Sequence, residues 1–426
     1  MESVRAVNRV YFAVSVLLTG ALAGALVWLV LFLMNLGISF IWTRVPVYLG
    51  EFYPLIVCTV GGIVIGLFTK RFGNYPETLP VVLGKVKQTG RYEYDKLGTM
   101  SVAAILPLIF GGSVGPEAGL TGVIAGICTW VGDRLRRFGS DFRELTEVGV
   151  YATMSAIFTA PLYGFAGSVD GVRTEGKSEI QISKKLKILI YAIAIAGAFL
   201  SYILLSTYVG KAMEMPSYDE IGYGVDEFIW LIPLALIGAL AGWLFCVLDV
   251  SFKRIADYFG DRPVLKATIG GILLGICGIA LPFTMFAGEM QSEELNEIWM
   301  TMAVSLLILT GVVKIAVTAF CVNMGWRGGH FFPVIFSGIS IGYGMSAILS
   351  VDPIFCVCAV TAATVAGTMR KPLMAVLLLF LCFPLHSVVI MAVAAVIGAN
   401  LPLPKFVKEA MAEHTGNNSN NTVQTE

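Results

Sequence analysis

Two short stretches hold the residues best suited to chemistry. The first reads Gly111-Gly112-Ser113-Val114-Gly115-Pro116, and Pro161-Leu162 follows its proline by 45 residues. The second reads Gly328-Gly329-His330-Phe331-Phe332-Pro333, and Pro372-Leu373 follows its proline by 39 residues. Glycines running into a proline describe the start of a helix. Such a start carries about +0.5 elementary charge and N–H donors with no acceptor in the helix. Glycine has no Cβ, so a ligand can approach those donors closely. The chemistry this favours is the binding of a small anion. The competing reading makes both breaks packing kinks. Ser113 and His330 also form, on paper, a nucleophile and a base. Ser113 lacks a Gly-x-Ser-Gly setting, so an enzyme is not expected.

These breaks must be carried by apolar elements. Of 426 residues, 57% are hydrophobic and 14% charged, and mean hydropathy is +0.80. Ordinary soluble domains carry about 25% charged residues. A soluble enzyme, a disordered chain and a nucleic-acid binder are excluded. Lysine plus arginine balance aspartate plus glutamate at 29 each, so net charge points to no charged partner. The eight cysteines show no metal-ligand spacing, and the three histidines, His330, His386 and His414, are too few for a multi-histidine metal site. No metal and no cofactor are expected.

A membrane-spanning helix needs about 20 apolar residues. Apolar runs occur at 10–42, 53–69, 97–110, 120–131, 148–166, 186–205, 228–252, 265–286, 298–322, 331–349, 354–368 and 373–401. The first reads as a retained anchor helix. Several are too short, or too broken by glycine and proline, for one clean span. Irregular backbone at membrane depth must be buried in protein or line a cavity. Two breaks at corresponding places in two halves point to a substrate site near the midplane. The expected organisation is a cytoplasmic N-terminus at 1–9, membrane halves at 10–206 and 225–403, a connecting loop at 207–224 and a disordered polar tail at 404–426. Basic clusters at Lys70–Lys96, Arg134–Arg137 and Arg173–Lys187 would face the cytoplasm.

The chain resembles the CLC family of chloride channels and anion/proton antiporters. Gly73-Asn74-Tyr75-Pro76-Glu77 sits where the family has GSGIPE. Gly112-Ser113-Val114-Gly115-Pro116 sits where it has GREGP or GKEGP, and 328–333 matches GGxFxP. FTAPLYG at 158–164 and MRKPLMA at 369–375 look like the family's two Pro-Leu helices. The likeness runs in order from about residue 50 to 400. It is nearest to a prokaryotic branch with a GGSxGPE form of the second motif. It implies an all-α polytopic membrane protein with a CLC-like inverted-repeat fold of broken and re-entrant helices. It further implies a homodimer in a prokaryotic inner or plasma membrane, with one pore per subunit. The bound species would be chloride or another small inorganic anion. Carried over, the amides of His330 and Phe331 hold the ion, with Gly73 and Asn74 opposite.

The departures from the family are as informative as the matches. The gating glutamate falls on Val114, which can neither carry a proton nor mimic an anion. The internal proton glutamate falls on Gly171, beside Asp170. The motif-one serine gives way to Gly73 or Asn74, and the C-terminal tyrosine to Pro404 or Phe406. The expectation is passive anion conduction, uncoupled from protons. The alternative is a proton-coupled anion or fluoride exchanger using Glu117 as a displaced carrier. Glu117 is otherwise a cap at a helix start. The His330 ring either makes conduction pH-dependent or packs away from the ion. Arg327 adds positive potential at a vestibule or anchors at the interface. Asp170 pairs with Arg173, lies at the intracellular mouth or relays protons. Tyr75 offers a hydroxyl in place of the missing ones. Phe331 and Ser113 contribute pore wall.

Overall fold

The computed structural model describes residues 2–44, 50–77, 79–89, 91–135, 184–212, 216–218, 220–222 and 224–411, with 150, 152, 155–158, 160–163 and 166. Among them every regular element is a helix. α1 runs Glu2–Ser39, α2 Tyr53–Phe72, α3 Leu79–Thr89, α4 Leu97–Ile109 and α5 Glu117–Leu135. α6 is Lys184–Tyr208, α7 Val225–Tyr258, α8 Pro263–Ala280, α9 Glu289–Ile298 and α10 Val304–Asn323. α11 is Phe331–Leu349, α12 Pro353–Met369, α13 Pro372–Leu379, α14 Val388–Asn400 and α15 Lys405–Met411. Among the described residues seven of these helices, α1, α2, α6, α7, α8, α10 and α11, are long and apolar enough to cross a membrane. A helix bonds its own backbone, which is what hydrocarbon demands. The all-α polytopic architecture that the resemblance implied is therefore the one observed among the described residues.

The helices form two compact units that interleave along the chain. One comprises Met1–Leu36, Pro76–Ile105 and Glu117–Met215. The other comprises Gly37–Tyr75, Leu106–Pro116 and Pro216–Glu426.

In the first unit α1 packs on α6 through small residues. A Cβ on Gly20 would sit 2.0 Å from the Ala194 carbonyl oxygen, and one on Gly24 2.1 Å from that of Ala198. Without a hydrophobic drive between helices in lipid, such close backbone contact supplies the dispersion energy of packing. The Trp28 indole donates to the Gly210 carbonyl at 2.9 Å, tying the end of α6 back to α1. The Glu77 carboxylate accepts from the Lys85 ammonium at 2.7 Å and the Tyr92 hydroxyl at 3.0 Å.

In the second unit α2 lies against α8 by the same device. A Cβ on Gly62 would meet the Ala267 oxygen at 2.3 Å, and one on Gly271 the Cys58 oxygen at 2.1 Å. α12 is the most enclosed helix, buried on every side from Phe355 to Thr368. Its start is well specified: Pro353 opens it, and the Asp352 carboxylate accepts the Phe355 N–H at 2.8 Å. α11 crosses it where Gly338 and Gly342 approach Thr361 and Val357. The polar tail expected from Pro404 opens with α15, at 98° to α14. Leu403 and Val407 there are buried with Cys246 and Val250, so the chain is ordered beyond the expected boundary. Residues 412–426 lie outside the described ones.

Candidate functional site

Gly73, Asn74, Tyr75, Ser113, Val114, Arg327, His330 and Phe331 all fall in the second unit. α4 ends at Ile109, and the chain turns through Gly111 at φ +83°. The Gly112 N–H donates to Pro107 O at 2.8 Å and the Val114 N–H to Gly112 O at 2.8 Å. The strand-like segment that follows meets the third motif. Gly115 and Gly329 exchange both N–H···O bonds at 2.7 Å, a single antiparallel bridge. The spacing in the sequence predicted both breaks. Their pairing was not readable there.

This bridge depends on the absence of side chains. A Cβ on Gly328 would lie 2.7 Å from the Val114 Cβ and 2.8 Å from the Gly115 oxygen. Val114 is 0% exposed. Beside Gly112, Trp326 is fully buried, with its indole N–H on Ala267 O at 2.8 Å and its own N–H on Cys321 O at 2.9 Å. Trp326 was not singled out by sequence, because one more apolar aromatic in an apolar chain carries no distinguishing pattern.

The third motif then opens α11. The Val334 N–H donates to His330 O at 3.0 Å, the first bond of that helix. The amides of Phe331 and Phe332 precede it and have no acceptor in their own helix. Pro333 has no N–H to satisfy. The break thus ends in the N-terminus of α11, with its positive dipole end. The His330 ring stacks on Phe245 at 4.9 Å between centroids and meets Phe331 edge-on at 4.7 Å. Asp249, one turn along α7 from Phe245, is held by the Asn323 amide at 2.8 Å.

The first motif is joined to the third by Arg327, whose guanidinium donates to Asn74 O at 3.1 Å. The arginine thus holds motif one by a backbone oxygen. The Gly73 N–H donates to Thr69 O at 2.9 Å and closes α2, with φ +94°. The Tyr75 N–H donates to Gly73 O at 3.0 Å. The Asn74 amide makes no part of that backbone turn. Phe406, which with Pro404 is one of the two positions where the tyrosine would fall, lies under the Arg254 guanidinium at 5.1 Å and offers no hydroxyl.

Glu117 belongs to the first unit, at the first position of α5 and 1% exposed. Its carbonyl accepts from the Thr121 hydroxyl at 2.5 Å, and Tyr163 lies within its electrostatic reach. Asp170 and Gly171 lie outside the described residues. Among the described residues no group of three His, Cys, Asp or Glu side chains is arranged to hold a metal.

Spanning helices interrupted by glycine-rich breaks, with a helix starting at each break, define a polytopic membrane protein of the broken-helix transporter class. The chain belongs to the CLC family: the family described as voltage gated chloride channel matches residues 61–402. A bacterial relative from Escherichia coli O7:K1, designated YfeO and described by its name as an ion-transport protein, is 28% identical over 323 residues, 71% of each chain. The Shigella flexneri protein of the same designation is 28% identical over 318 residues. Solved structures share the fold. A slow cyanobacterial Cl⁻/H⁺ antiporter aligns with TM-score 0.73 and 18% identity over 94% of this chain and 98% of its own. A CLC-type fluoride/proton antiporter aligns with TM-score 0.70 and 16% identity over 92% and 94%.

Proposed function

We propose that this chain conducts small inorganic anions passively, uncoupled from protons, with a pore in each subunit of a homodimer. The carrying observation is Val114: fully buried against Gly328 at the motif-two position where the family keeps its gating glutamate. A valine has no proton to give and no charge to compete with an anion. The α11 amides, with Asn74 from motif one, supply donors for chloride-like ions. The reading departs from the two structural neighbours, both described as proton antiporters.

The test is chloride efflux from proteoliposomes with an internal pH reporter, with and without a proton ionophore. Efflux without uphill proton movement is the expected result. Stoichiometric proton movement driven by the chloride gradient overturns the proposal.

A second reading keeps coupling through Glu117, and its burial favours it. A buried carboxylate in a membrane protein is a functional candidate by default. On the passive reading, Glu117→Gln leaves the efflux rate and its pH profile within about twofold of wild type, since an amide still caps a helix start. A flat pH profile appearing only in this variant would transfer the role to Glu117.

A further inference from the structure

α10 crosses the membrane carrying a lysine that is 0% exposed. The Lys314 ammonium donates to the carbonyls of Phe283 at 2.9 Å, Met285 at 2.8 Å and Phe286 at 3.1 Å. It also lies 4.7 Å from the centre of the Phe336 ring. Three acceptors match the three N–H bonds of an ammonium. Burying a charge in a membrane protein is costly and marks a residue with a task.

The caged segment leads to motif two. Phe286 adopts φ +59°, a conformation that bulky residues hold only when the surroundings impose it. Its N–H donates to the Gly111 carbonyl at 3.0 Å. Trp42 packs edge-on against its ring at 5.1 Å. The same α10 face reaches motif two directly. Thr318, four residues on, shares a hydrogen bond between hydroxyls with Ser113 at 2.9 Å. Cys321, at the i+7 position, places its sulfur close to the Ser113 backbone amide. Positions i, i+4 and i+7 lie on one side of a helix. Glu289, 6% exposed at the start of α9, lies within electrostatic reach of Lys314.

We infer that Lys314 is a positioning residue for the ion path: from α10 its ammonium fixes the turn that holds Gly111, and with Thr318 it sets the backbone of motif two. The chain of contacts continues from Ser113 through Val114 to the Gly115–Gly329 bridge and so to the start of α11. The anion-handling role of that backbone rests on the proposed function; the clamping of motif two by Lys314 does not.

Hydrogen–deuterium exchange on the full-length protein tests the clamp without reference to any substrate. In Lys314→Met, amides of 109–117 are expected to exchange at least about tenfold faster, as a lost local clamp lowers the cost of local opening. Amides of α6, in the other unit, are expected to be unchanged. Thr318→Val removes only the Ser113 link and is expected to give a smaller rise in the same peptide. Unchanged exchange of 109–117 in a folded Lys314→Met protein overturns the inference. If that variant does not fold, unchanged exchange in Thr318→Val overturns it equally. Chloride efflux is read in parallel. Its half-saturating concentration is expected to rise about tenfold in Lys314→Met while Lys314→Arg restores part of the loss. Efflux absent from wild type would count against the proposed function and leave the exchange result to decide the clamp.

Discussion

Val114→Glu is expected to lower chloride efflux near neutral pH by about tenfold or more, each factor of ten being about 1.4 kcal/mol. The new carboxylate would extend from the backbone beside Gly115, whose bridge partner Gly329 leads into the helix-start amides of α11. Ionised, it competes with a permeating anion for those N–H donors. Protonated, it does not. A free glutamate titrates at about 4.3, and donors that stabilise its charge push that value down. Efflux should therefore recover only as pH falls through that acidic range, and the wild type should lack such a limb. Insertion has a structural cost, because Val114 is 0% exposed. Overpacking of this kind costs about 1–3 kcal/mol. The variant is compared with Val114→Ala, which keeps a small apolar group and is expected to conduct like wild type. A folded Val114→Glu protein with wild-type efflux at all pH values would show that position 114 does not border the ion path. The explanation of uncoupled transport by the missing glutamate would then fall.

Much of the fold was legible because lipid leaves few choices. A chain that must bond its own backbone in hydrocarbon writes its spans as long apolar runs. The run at 10–42 lies within α1, which starts earlier at Glu2, and the short π-helical turn Phe40–Arg44, and the run at 331–349 is α11 to the residue. The two breaks were legible because glycine and proline have local backbone consequences. What joins them was not. The Gly115–Gly329 bridge links residues far apart in sequence, and no local preference encodes which glycine finds which. Arg327 admitted two sequence readings, and its contact with the Asn74 oxygen is a third arrangement that needs both loops in place. Gly73 was expected to offer an amide, but a helix must also be terminated, and its N–H goes to Thr69 O. Lys314 was passed over inside the run at 298–322, where one charge is averaged away among apolar neighbours. The intramembrane charge was itself the signal, and the sequence displayed it.

Gly328→Ala should be strongly damaging to the site. A methyl group there would lie 2.7 Å from both Cβ and Cγ2 of Val114 and 2.8 Å from the Gly115 oxygen. Contacts this short are not tolerated, so the two loops must part. Trimming Val114 cannot repair the fit, because the Gly115 oxygen is backbone. The double variant Gly328→Ala with Val114→Gly should therefore stay defective. Parting the loops breaks the paired Gly115–Gly329 bonds, each worth about 0.5–1.5 kcal/mol. Buried peptide groups left without partners cost about 1–3 kcal/mol more. Together these exceed the ~1.4 kcal/mol that corresponds to a tenfold change, so efflux should fall by at least that factor. Gly84→Ala is the control. It lies in α3, and a Cβ there meets nothing within 4 Å. Helix propensity alone makes it neutral or stabilising by up to about 1 kcal/mol. If Gly328→Ala conducts like Gly84→Ala, the bridge is incidental packing rather than the frame of the ion site. If efflux collapses while the protein stays monodisperse, the close approach of motifs two and three is what holds the amides of α11 in register with the path.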